Sequence, residues 1–182
     1  MGLFEDIHVE ARKRGLDFLV IGGLAVIFHG HARDTADVDL LIRRDDRARW
    51  LEVLSQLGYA VEHDRENFIQ LSPPKQGAWP VDLMLVAGPS FDPMLGASRE
   101  VEMYGVKLRI PGLEHLLALK LHALKHGHIG RYSKDLLDVE ALVRVNSLDM
   151  NSEKMRRLFL KYGNLKIYEQ ISRFSTGGRS EA

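Results

Sequence analysis

The chain reads as a mixed α/β half followed by an all-helical half. Two observations carry that expectation. Up to about residue 111, short apolar runs of strand length alternate with amphipathic helical stretches; after Pro111-Gly112 only helical periodicity remains. The expected organisation is a core over residues 1–111, a C-terminal helical part over 112–174 packing on it, and a disordered tail over 175–182.

Residues 3–14 form an amphipathic helix with Leu3, Ile7 and Ala11 on one face, stopped near Gly15. Residues 18–21 are a buried strand that hands over at Gly22-Gly23 to a helix over 24–29. Residues 38–42 are the second strand. A helix then runs from Asp45 to about Leu57 with Trp50, Leu51, Leu54 and Leu57 inward, ending at Gly58. Strands follow at 59–61, 68–71 and 81–86, with a loop over 75–79. Residues 99–110 read as a hairpin turning at Tyr104-Gly105. Helices are expected over 113–126, 133–145, 151–162 and 165–173, with Ser133 as an N-cap and Asp135 in its first turn.

The bulk composition narrows the classes. In 182 residues, 45% hydrophobic and 27% charged is the balance of a soluble globular chain. The absence of cysteine removes disulfides, thiolate zinc sites and a cysteine nucleophile. No secretory signal and no membrane-length apolar run is visible, so a cytoplasmic protein with no membrane partner is expected. The net charge of zero conceals an asymmetry: 11 Lys/Arg against 17 Asp/Glu in residues 1–103, and 14 against 8 in 104–182. An acidic half suits a metal and a basic half suits polyphosphate or nucleic acid, although ordinary surface variation gives the same sums.

Chemistry concentrates between residues 22 and 40. Asp37 and Asp39 alternate along a strand and so point to one face. Like charges that close repel, and each is costly to desolvate, so a cation between them is expected, Mg²⁺ or Mn²⁺ by the preference for oxygen donors. Asp82 interrupts another apolar strand. Three carboxylates on neighbouring strands suit two metal ions and an in-line phosphoryl displacement. Gly22-Gly23 leads into a helix and lets backbone approach a phosphate.

Gly22-Gly23, thirteen residues, Asp37-Val38-Asp39-Leu40 and the later Val81-Asp82-Leu83 together resemble the signature of the polymerase-β-type nucleotidyltransferase superfamily. The longer run from Gly22 to Leu40, and the stretch from Leu116 to Leu142, are similar to the AbiEii-like toxin group and its uncharacterised bacterial relatives. The likeness spans roughly residues 16–145. It implies a mixed sheet flanked by helices, an NTP substrate, Asp37 and Asp39 holding both metals, and Asp82 binding one metal and acting on the acceptor hydroxyl. It implies transfer of NMP to an RNA 3′ end, a protein or a small molecule, with release of pyrophosphate. A toxin role with an antitoxin partner is part of the same implication. Many members carry serine where this chain has Gly23, so backbone N–H groups replace a hydroxyl donor there.

Further candidates surround that centre. Arg33 and Thr35 precede the strand as nucleotide-binding candidates, as Lys134 is further on; Arg33 either meets phosphate or acceptor, or buttresses Asp37 or Asp39. His29 and His31 read as packing residues. Lys120 projects near the centre of the apolar stripe of helix 113–126, where a lysine either snorkels or meets an anion, the triphosphate being one choice. Arg131, Lys134, Asp135 and Asp138 resemble a downstream element of the same group, with Asp138 a partner for Lys120, Lys134 or Arg131. His122, His126 and His128 invite a zinc reading, but His122 lies opposite the apolar stripe and a solvated face is preferred. The alternative to an enzyme is a nucleotide-binding module that keeps the fold without turnover. A haloacid-dehalogenase phosphatase fits poorly because Leu40-Leu41 follow the Asp pair, and a nucleotide-sugar glycosyltransferase would not need Gly22-Gly23.

Overall fold

A computed structural model describes residues 2–127 and 129–177. His128 and residues 178–182 lie outside the described residues, and so does the side chain of Arg131. The chain divides into two compact units, one of residues 1–25 and 33–112 and one of residues 26–32 and 113–182.

The first unit is built on a five-stranded mixed sheet in the order β1-β2-β5-β4-β3. Its strands are β1 (Phe18–Val20), β2 (Val38–Arg43), β3 (Ala60–Arg65), β4 (Phe68–Ser72) and β5 (Val81–Val86). β2 and β5 are parallel; the other neighbours are antiparallel. Val38, Leu40 and Ile42 stand in register with Val81, Leu83 and Leu85, and all six are buried. Residues in register share a face, so this side is the core side of the sheet. Helix α1 (Leu3–Arg14) buries Phe4, Ile7 and Ala11, and ends at Gly15 in the left-handed conformation. Helix α3 (Arg47–Gln56) packs beside α1 and sets Trp50 edge-on to Phe18 at 5.4 Å.

Four details of this unit differ from the sequence reading. Helix α2 starts at Gly22 rather than Leu24 and runs to Phe28. A 3-10 turn over Arg44–Asp46 precedes α3, whose core positions are Trp50, Val53 and Leu54, an i, i+3, i+4 stripe that leaves Leu51 and Leu57 half-buried. β3 extends to Arg65 with every residue exposed, so it carries no hydrophobic alternation. Helix α4 (Gly88–Gly96) was not anticipated; two prolines and two glycines in nine residues locally oppose a helix. Pro89 falls in its first turn, where no N–H is needed, and fully buried Phe91 anchors it to the sheet. The hairpin β6 (Arg99–Met103) and β7 (Val106–Ile110) turns at Tyr104-Gly105 as expected.

The second unit contains α5 (Leu113–His126), α6 (Ile129–Val145), α7 (Glu153–Tyr162) and α8 (Leu165–Gly177). Its core gathers Leu116, Leu117, Leu121, Val139, Leu142, Met155, Phe159, Ile167 and Ile171. The segment 26–32 joins this unit: the Asn146 side-chain amide donates to the His29 carbonyl at 3.0 Å, and Gly30 lies where a Cβ would meet Val145 at 2.8 Å. Ser152 caps α7 by accepting from the Met155 N–H. α6 begins at Ile129, four residues before the expected start, so Ser133 is not an N-cap and Asp135 is not in the first turn. Of the tail expected to be disordered from Ser175, residues 175–177 continue α8 to Gly177, and the remainder lies outside the described residues. None of the described helices is long and apolar enough to cross a membrane.

Candidate active site

The parallel pairing of β2 with β5 places Asp39 directly opposite Asp82. Asp37 stands one residue before β2, at alternate spacing to Asp39, so its carboxylate comes to the same side. One ligand oxygen from each of the three lies within 4.8 Å of the others. Asp82 is 3% exposed, whereas Asp37 and Asp39 are half-buried. Among the described residues this is the one group of three or more His, Asp or Glu side chains close enough to share a metal ion.

The donor set fits a divalent metal. Three carboxylates that near, set in an apolar sheet, repel one another and gain from a shared hard cation with oxygen preference. The local backbone is shaped to leave that cluster room. Gly22 has φ +60°, and a Cβ there would overlap the Asp39 carboxylate. Only glycine meets both demands, the left-handed backbone and the close approach. At Gly23 a Cβ would stand 2.5 Å from an Arg33 guanidinium nitrogen and 2.6 Å from the Thr35 hydroxyl. Gly23 therefore makes space for Arg33 and Thr35, a reason not visible in the sequence.

Thr35 donates its hydroxyl to the Asp37 carboxylate at 2.9 Å. That bond orients Asp37, so in this structure Thr35 acts on a carboxylate. Arg33 donates to the Asp34 carbonyl at 3.0 Å and packs over Gly23. The first unit thus brings together Gly22, Gly23, Arg33, Thr35, Asp37, Asp39 and Asp82. Sequence reasoning missed Gln70, which stands in register with Asp82 on β4 and bonds His63 on β3. Its only signal was a polar residue at the middle of the apolar strand 68–71.

Lys120, Asp135 and Asp138 meet within the second unit. The Lys120 ammonium lies 2.7 Å from Asp135 and 2.7 Å from Asp138. Lys120 is 8% exposed and Asp138 1%, so the anion met by this lysine on its apolar stripe is a pair of carboxylates from α6. Lys134 is exposed on α6. His122 and His126 are exposed with ring centroids 4.6 Å apart, and no third ligand joins them among the described residues. Partial desolvation of the ring, then His126 and Lys125, hold the His122 imidazole below its ordinary pKa.

Solved structures share this architecture. The chain is similar to ANT(2″)-Ia in complex with adenylyl-2″-tobramycin, at 17% identity and a TM-score of 0.64, over 88% of this chain and 94% of that one. It is similar to the lincosamide antibiotic adenylyltransferase LnuA in its lincomycin-bound form, at 17% identity and a TM-score of 0.55, over 79% and 95%. A nucleotidyltransferase-like protein from Paracoccidioides brasiliensis gives 14% identity and a TM-score of 0.56 over 93% and 88%. At such identities the likeness is one of fold. No protein of curated function matches the sequence. A family model described as uncharacterised nucleotidyltransferase matches residues 4–175. That match supports the superfamily named by the sequence resemblance and does not reach its AbiEii-like subgroup. By that match across nearly its whole length, the chain belongs to this family of nucleotidyltransferases.

Proposed function

We propose that the protein transfers a nucleoside monophosphate from an NTP to a hydroxyl acceptor and releases pyrophosphate. The observation that carries this reading is the convergence of Asp37, Asp39 and Asp82 within 4.8 Å on one side of the sheet. Asp37 and Asp39 would hold divalent metal, Mg²⁺ or Mn²⁺, and Asp82 would share it. When bound, the metal supplies charge neutralisation of the phosphates and lowers the pKa of an oxygen ligand. The protein's own part is geometric. Thr35 holds Asp37, Gly22 leaves the Asp39 carboxylate its place, and the β2–β5 pairing fixes the distance between Asp39 and Asp82. Arg33 and the Gly22-Gly23 backbone stand beside this centre as phosphate contacts. The acceptor oxygen bonds to the α-phosphorus as the bond to the β-phosphate oxygen breaks. Its proton passes to Asp82, and pyrophosphate leaves with the electron pair.

The structures of ANT(2″)-Ia and LnuA carry antibiotics, which places small hydroxyl compounds beside RNA and protein among the acceptors to be tried. A role as a toxin with an antitoxin has the sequence resemblance alone behind it. In the second unit Lys120 pairs with Asp135 and Asp138, so a structural role is better supported for it than the nucleotide contact expected; Lys134 stays a nucleotide contact by resemblance alone, and Arg131 a secondary candidate.

The test is incorporation of each labelled NTP, with Mg²⁺ or Mn²⁺, into cellular RNA, protein and small hydroxyl compounds. An Asp37→Ala/Asp39→Ala variant serves as control. Label that disappears in the variant supports transfer. Nucleotide binding without incorporation into any acceptor supports the binding module that keeps the fold without turnover.

A further inference from the structure

The strand register continues the acidic centre into a polar row. Asp39 on β2 opposes Asp82 on β5, Asp82 opposes Gln70 on β4, and Gln70 opposes His63 on β3. Opposed residues share a face, so four polar side chains cross four neighbouring strands in steps of about 4.8 Å. Gln70 is half-buried and His63 exposed, while Ile69 and Leu71 on the other face are buried. Two residues along, Phe68 opposes Met84, both half-buried, giving the row an apolar floor on its own side.

The amide of Gln70 is held in one orientation. Its Oε1 lies 3.1 Å from His63 Nδ1, and since that oxygen can only accept, Nδ1 carries the proton and donates. The Gln70 N–H groups are on the other branch of the planar amide, turned from His63. Across the pairing of β4 with β5, Gln70 stands opposite Asp82. Gly22, Gly23, Arg33 and Thr35 crowd the opposite end of the row, at Asp37 and Asp39. An in-line displacement brings the attacking oxygen from the side away from the leaving pyrophosphate. With phosphates at the Asp37–Asp39 end, the acceptor enters over β4 and β3.

The charge of that surface selects among acceptors. Past Asp82 the row contains no carboxylate. Asp64 points to the other face, where Arg47 pairs with it, and Glu62 falls at the bulge between Val61 and His63. Among the residues of the row itself a polycation would find no carboxylate beyond Asp82, whereas a hydroxylated ring meets an amide, an imidazole and an apolar floor.

Building on the nucleotidyl-transfer reading, we infer that Gln70 and His63 form the acceptor subsite. Gln70 donates to an acceptor oxygen beside the reacting hydroxyl at Asp82, His63 fixes the Gln70 amide, and the acceptor is hydroxylated and carries at most one positive charge rather than several.

The test compares wild type, Gln70→Ala, His63→Ala and Asp37→Ala/Asp39→Ala. Each receives labelled NTP and three acceptors: an RNA oligonucleotide with a free 3′-hydroxyl, lincomycin and tobramycin. Calorimetry with Mn²⁺ and a non-hydrolysable NTP analogue reads nucleotide binding and the integrity of the fold. RNA or lincomycin should be labelled, and which one identifies the source of the hydroxyl. Gln70→Ala should raise KM for that acceptor about tenfold, and His63→Ala by less, with analogue affinity unchanged in both. Tobramycin as the preferred acceptor, an unchanged acceptor KM in Gln70→Ala, or lost analogue binding in that variant would overturn the subsite alone. Labelling of none of the three while cellular protein is labelled would overturn the subsite alone; no label in these or in cellular RNA, protein and small hydroxyl compounds removes the transfer reading, and the subsite with it.

Discussion

Asp39 and Asp82 stand directly opposite each other on the parallel strands β2 and β5, two carboxylates facing the same side of a largely apolar pairing. Without metal this pair repels. Asp39→Asn should therefore leave the metal-free protein as stable as wild type or more so, by roughly 1 kcal/mol. Mn²⁺ should raise the melting temperature of wild type and not that of the variant, and nucleotidyl transfer should fall at least about 10²-fold. Thermal denaturation with chelator and with Mn²⁺ reads the first two effects, and labelled-NTP incorporation the third.

Thr35 tests how far Asp37 depends on being oriented. Thr35→Val keeps the shape and removes the donor to the Asp37 carboxylate, 2.9 Å away in wild type. Metal affinity should fall by about 10- to 100-fold, the usual effect of losing a bond that orients a ligand. Stability should change by only about 1 kcal/mol. Mn²⁺ titration by calorimetry separates the two.

The two glycines should respond differently to substitution. Gly22→Ala adds a Cβ at φ +60° that overlaps Asp39, so it should cost about 2 kcal/mol or more and abolish metal binding. Gly23→Ser introduces the residue common in the superfamily into space held by Arg33 and Thr35. It should lower stability by about 1–2 kcal/mol and weaken metal binding through Thr35, rather than add a useful phosphate donor. Denaturant unfolding with parallel Mn²⁺ titration checks both.

Lys120 is tested by removing its charge. Lys120→Met removes the ammonium that half-buried Asp135 and buried Asp138 share, which should destabilise the protein by about 3 kcal/mol at neutral pH. Adding Asp138→Asn should recover part of that loss. A Lys120→Met variant as stable as wild type would remove the structural role assigned to this lysine. Urea unfolding of the single and double variants is the measurement.

His122 supplies the pH dependence. Its folded pKa lies below the ordinary value of 6.5, from partial desolvation of the ring first and then from His126 and Lys125. The folded state thus binds a proton less readily than the unfolded chain. Stability should fall as pH drops through 6.5 and level off once the depressed folded pKa is passed. His122→Gln should flatten that part of the profile, read as melting temperature between pH 7.5 and pH 5.

Much of the fold was legible because strand and helix periods are local. β2, β5 and the 99–110 hairpin follow from short apolar runs bounded by turn residues, and α5 from its leucine stripe. α4 was not legible, since Phe91 burial outweighs the prolines and glycines that locally oppose a helix. The early start of α6 was likewise hidden. Ser133 and Asp135 imitate a helix start, but Asp135 is there to meet Lys120 on α5.

The sequence by itself determined the three aspartates, the glycine pair and the order of elements, because alternation along a strand and glycine's backbone freedom are properties of neighbouring residues. Only the tertiary structure decided what each met across the chain. Strand pairing set Asp39 against Asp82 and Gln70 beside it, Gly23 made room for Arg33 and Thr35, and helix packing gave Lys120 two carboxylates. Those outcomes depend on register and packing between segments far apart in sequence, which no local pattern encodes.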